Sequence, residues 1–126
     1  MRRIRRTGQK VNEEKKLGKI VEELTMFFFS VGANNIYSQI ERKGQQVVIS
    51  FESDYAPEYA DNLQVLPKYL NEPKNEGMED IYWELAGSGD PGEGSQLLLI
   101  GVMIDKAEIF IEEKFVHLRL YKDIMV

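Results

Sequence analysis

The chain has 126 residues, 43% apolar and 29% charged, a balance that argues against disorder throughout and for one domain with a real core. It contains no cysteine, which excludes disulfides and thiolate metal sites. The net charge of −5 is uneven: residues 1–20 hold eight Lys/Arg against Glu13 and Glu14, a net of +6, and the remainder carries −11.

The first fourteen residues therefore read as a basic, partly flexible N-terminal arm and residues 15–126 as a single domain. An acidic body repels nucleic acid, so DNA is an expected partner only through Arg2, Arg3, Arg5, Arg6 and Lys10. No apolar stretch follows the arginines as a secretory signal would require. The longest apolar runs, Met26 to Phe29 and Leu97 to Val102, are too short to span a bilayer, and a cytoplasmic protein is expected.

Leu17, Ile20, Val21, Leu24, Phe27, Phe28 and Val31 repeat at helical spacing, which predicts a helix capped by Asn12 and ended by Gly32. Its exposed side carries Glu22, Met26 and Phe29. A hairpin follows: Ile36, Ser38 and Ile40 alternate with polar neighbours, Arg42-Lys43-Gly44-Gln45 turns the chain, and Val47, Ile49 and Phe51 alternate back.

Residues 57–71 look helical, with Tyr59, Leu63, Leu66 and Leu70 on one side, and Pro67 is expected to kink or split the run. A polar break leads to a short helix over Met78 to Leu85 containing Trp83. Gly87 to Gly94 reads as a flexible loop. Ser95 opens an apolar helix, Gln96 to Ile104. A second hairpin sets Ala107, Ile109 and Ile111 against Val116, Leu118 and Leu120. The expected fold class is α+β, a two-layer α/β sandwich. Its mostly antiparallel mixed sheet is built of two hairpins with helices on one face.

Isolated motifs give little chemistry. Gly87-Ser88-Gly89-Asp90-Pro91-Gly92 matches G-x-G-x-x-G, but a helix rather than a strand precedes it and Pro91 breaks the turn. His117 stands without a second histidine and reads as a sheet-face side chain, with proton transfer as the alternative. The acid pairs Glu22-Glu23, Glu79-Asp80 and Glu112-Glu113 are adjacent and point apart, which suits solvated charge. Tyr55, Tyr82 and Trp83 lack the interleaved basic residues of a base-stacking platform.

Three stretches nevertheless resemble the GHKL ATPase superfamily of gyrases, heat-shock chaperones, histidine kinases and mismatch-repair proteins, nearest its small anti-sigma-factor kinases. Glu22-Glu23-Leu24-Thr25-Met26-Phe27 looks like the family's Glu-x-x-x-Asn helix box, with Met26 in place of the magnesium-binding Asn and Ser30 where a basic residue often stands. Val47 to Phe51 resembles the strand entering its adenine box. There Ser53 replaces the adenine-reading Asp, or Asp54 supplies it one position late, and Tyr55 and Pro57 replace the glycines. Gly94-Ser95-Gln96-Leu97 and the closing hairpin resemble the family's phosphate-binding helix and last strands.

The resemblance implies a histidine-kinase-like ATPase fold in which Glu22, Met26, Phe29, Ser30, Ser53, Asp54, Gly92, Gly94 and Ser95 stand at the nucleotide-pocket positions. A thioether cannot replace the hard oxygen that magnesium requires. The expected protein is thus a non-catalytic regulatory or interaction domain, a pseudo-ATPase without cofactor or metal, acting on a protein partner. Met26 and Phe29 either fill the old pocket, the favoured reading, or reshape it for an apolar ligand or partner. The rival is a divergent ATP-dependent serine or histidine kinase-like regulator using ATP with magnesium, Glu22 as base, Asp54 on adenine and Gly92, Gly94 and Ser95 on phosphate. A DNA-associated regulator is the third reading, and the exposed apolar residues leave a homodimer open.

Overall fold

The computed structural model of the chain describes residues 3–71 and 93–124. Helix α1 (Arg3–Ser30) leads into the hairpin β1 (Ile36–Lys43) and β2 (Gln46–Asp54). A 3₁₀-helix (Pro57–Gln64) runs into α2 (Val65–Leu70). Helix α3 (Glu93–Met103) then precedes the hairpin β3 (Lys106–Ile111) and β4 (Phe115–Asp123). The two hairpins join through β2 and β4 into one sheet of order β1-β2-β4-β3, with every pairing antiparallel. The helices pack against it, so the fold is an α+β two-layer sandwich.

Period-two alternation sends one set of side chains to the helices. Val47, Ile49 and Phe51 of β2 and Val116, Leu118 and Leu120 of β4 are buried there. Against them lie Ile20, Leu24 and Phe28 of α1 with Val31 just past its end, Leu66 and Leu70 of α2, and Leu97, Ile100 and Met103 of α3. Phe28 is fully buried, with its ring tilted against Phe51 at 5.8 Å between centroids. Two helices cross closely at Gly101, where a Cβ would stand 2.3 Å from the Tyr69 carbonyl oxygen. Lys122, buried on the helical face of β4, donates to the Met103 carbonyl at 2.8 Å. The ammonium thereby meets the negative end of α3.

Several boundaries differ from the sequence expectation. Asn12 does not open the helix, because α1 is already helical from Arg3; residues 3–11 contain no proline to break it. Gly32 does end the helix, with φ +84° and its N–H donating to the Phe29 carbonyl. The run over 57–70 is split between Gln64 and Val65 rather than at Pro67. Pro67 lies in the first turn of α2, where a missing N–H leaves no helical bond unmade. Ser95 falls inside the first turn of α3 rather than opening it. The first hairpin turns on two residues, Gly44 at φ +64° followed by Gln45, a connection that keeps the strands in register. The expected helix over 78–85 and most of the glycine-rich loop, with Gly92, lie outside the described residues.

Candidate functional site

The described residues at the nucleotide-pocket positions lie on three elements: α1, the end of β2 and the start of α3. Glu22, Met26, Phe29 and Ser30 line the outer side of α1. Met26 and Phe29 are 60% and 59% exposed, so they are not side chains that fill a pocket. The cause is their phase: they sit on the side of α1 away from Ile20, Leu24 and Phe28, which face the sheet and are fully buried. Ser30 Oγ donates to the Phe27 carbonyl at 2.6 Å, closing the last turn.

Ser53 and Asp54 end β2 with different duties. Ser53 is buried on the helical face, and its hydroxyl donates to the Asp54 carbonyl at 2.8 Å. Asp54 Oδ1 accepts the backbone N–H groups of Asn34 at 2.8 Å and Asn35 at 2.9 Å. These donors, Asn35 foremost, hold its carboxyl below the ordinary aspartate value. The carboxylate thus pins the loop between α1 and β1 to the end of β2. Ala56 N–H adds a bond to the Val31 carbonyl at 2.9 Å across the same junction. Gly94 and Ser95 lie in the first turn of α3.

None of the described helices lies on the other face of the sheet. Register places four rows there: Tyr37, Glu52, His117 and Phe110; then Gln39, Ser50, Arg119 and Glu108; then Glu41, Val48, Tyr121 and Lys106; and at one end Lys43, Gln46 and Asp123. The first row, with Gln39, Ser50 and Arg119 of the second, lines a groove of about 680 Å³, which Glu112 also borders from the β3–β4 turn. His117 lies between two carboxylates, with Nδ1 at 3.2 Å from Glu52 and Nε2 at 3.7 Å from Glu112. The outer strands supply aromatic walls, Tyr37 at 67% and Phe110 at 59% exposure. Tyr55 reaches across from the end of β2, its hydroxyl shared between the Glu112 and Glu113 carbonyls.

Sequence reasoning placed His117 on a sheet face but missed the groove around it. The signal was available in the strand patterns, whose second faces are polar except for Tyr37, Val48, Phe110, Phe115 and Tyr121. Only the pairing of β2 with β4, between residues about seventy apart in the chain, brings Glu52 to His117. Chemically the groove is suited to binding. Both imidazole nitrogens face carboxylates, and among the described residues no nucleophile hydrogen-bonds to His117. Among the same residues, no group of three His, Asp or Glu side chains is arranged to hold a metal ion.

Among the described residues, fold and surface define a small two-layer sandwich with one sheet face closed by helices and a groove on the other. Comparison with protein-family models, with curated proteins and with solved structures gives no match. None of the described helices is long and apolar enough to cross a membrane.

Proposed function

We propose that the chain is a non-catalytic regulatory or protein-interaction domain, a relative of the GHKL ATPases that no longer binds nucleotide and acts by contact with another protein. The observation that carries the reading is Met26. It presents an exposed thioether on α1 where a nucleotide-bound magnesium ion needs an oxygen ligand. Two features support it. Asp54, the nearest acid to the adenine position, already spends Oδ1 on two backbone N–H groups. The exposed Phe29 adds a second apolar group to the same stripe, a surface better matched to a protein than to a triphosphate. Its place beside the anti-sigma-factor kinases, and a cytoplasmic location, belong to the same proposal.

Calorimetric titration of the full chain with ATP and magnesium tests it directly. No saturable heat is expected, and binding in the micromolar range overturns the proposal. A Met26→Asn variant sharpens the result. If that single oxygen restores nucleotide binding, the pocket is otherwise intact and the thioether is the lesion.

A further inference from the structure

The groove on this sheet face is lined by two acids, Glu52 and Glu112, and one arginine, Arg119, which leaves it with a net excess of acid. Elsewhere on that face acids are matched with lysines: Glu41 with Lys43 at 3.7 Å and Glu108 with Lys106 at 3.5 Å. Glu52 and Glu112 have no such match. Each faces only His117, and among the described residues no lysine or arginine forms an ion pair with either. Both carboxylates are mostly exposed, at 57% and 64%. Tyr37 and Phe110 stand in the same cross-strand row, one at each edge of the sheet. Three strand spacings put them about 14 Å apart. Acids between exposed aromatic rings form a surface for guanidinium groups, which pair with carboxylates and stack on ring faces.

The chain itself supplies a segment of that chemistry. Met1-Arg2-Arg3-Ile4-Arg5-Arg6 places four arginines around one apolar residue, within a stretch of net +6 attached to a body of −11. Within one molecule the part of α1 that contacts the sheet, from Glu13 onward, lies on the face away from the groove. Helix α1 packs on the helical face of the sheet, where Glu13 approaches Lys122 at 3.8 Å. A second copy is free of that constraint.

We propose that the groove is the docking site for the basic N-terminal run of a second copy, exchanged reciprocally in a homodimer. Each copy then gives one run and receives one, so the assembly closes with two-fold symmetry and leaves no site open for further growth. The groove volume, about 680 Å³, is that of a pocket for a few side chains rather than for a whole helix bundle. The inference is independent of nucleotide loss and stands or falls without it.

Sedimentation velocity on the full chain tests it with two charge-reversed variants, Glu52→Arg with Glu112→Arg, and Arg5→Glu with Arg6→Glu. The wild-type chain is expected to dimerise, with a dissociation constant that rises at least about tenfold between about 50 and about 300 mM salt. Each variant alone is expected to be monomeric, with an unchanged circular dichroism spectrum. An equimolar mixture of the two is expected to recover the dimer, because the reversed face meets the reversed run and the unreversed run meets the unreversed face. A wild-type chain that stays monomeric overturns the proposal. So does a dimer that survives either reversal, and so does a mixture of two folded variants that fails to associate. Binding of duplex DNA by the wild-type run, with no self-association, assigns the run to nucleic acid and overturns it as well.

Discussion

The two faces of this sheet are built from the same four strands and have opposite character. On the helical face of β2 and β4 the side chains are Val47, Ile49, Phe51, Ser53, Val116, Leu118, Leu120 and Lys122, all buried. Its two polar members are each hydrogen-bonded, Ser53 to the Asp54 carbonyl and Lys122 to Met103. One residue away along each strand, the side chains are Glu52, His117 and Arg119, exposed or half-exposed around a groove. The comparison teaches that packing is concentrated on one face of a sheet that alternates strictly. One face spends its side chains on the core, and the other is largely free of that task.

The comparison breaks if stability is spread over both faces. Phe28→Ala removes a fully buried ring from the helical side and is expected to cost about 3–5 kcal/mol, read as a lowered urea midpoint. Gly101→Ala forces a methyl group against the Tyr69 backbone and is expected to cost about 1–3 kcal/mol. Gly18→Ala is its control: nothing lies within 4 Å of the added Cβ, and replacing a glycine inside a helix is expected to gain about 0.5–1 kcal/mol.

Asp54 gives the comparison a pH dependence. Its folded pKa lies below the ordinary 3.8, so its contribution to stability is present above about pH 4 and is lost as pH falls through the lowered value. Asp54→Asn is expected to cost about 1 kcal/mol near neutral pH and to flatten the acid limb of the stability profile. An unchanged acid limb would show that the Asn34–Asn35 loop does not depend on this carboxylate. Smallest of all, Phe110→Ala on the open face is expected to change stability by less than about 0.5 kcal/mol, while abolishing any role that the face has in binding.

The parts of the fold set by local pattern were legible in the sequence. The apolar stripe of α1, both hairpins and the Gly44 turn follow from spacing alone, and the order of elements makes a two-layer sandwich the natural way to bury them. Pro67 misled because a proline breaks a helix interior but suits a first turn, and the strand of sequence does not say where a turn begins. Asp54 was read for a ligand when its carboxylate serves the backbone. The signal, two asparagines following Gly32 and Ala33, marks a turn but not its anchor. The groove was illegible for a different reason: Tyr37, Glu52, Phe110 and His117 come from four strands, and only long-range register aligns them.

Tyr55 gives the two faces a point of contact. Its ring packs against the core beneath the helices, while its single phenolic proton is divided between two carbonyls of the turn that presents Glu112. The rim of the groove is therefore strutted to the interior by one side chain. Swing of that turn has to be accompanied by movement of a ring beside the end of β2, which ties the mouth of the groove to the packed layer behind it.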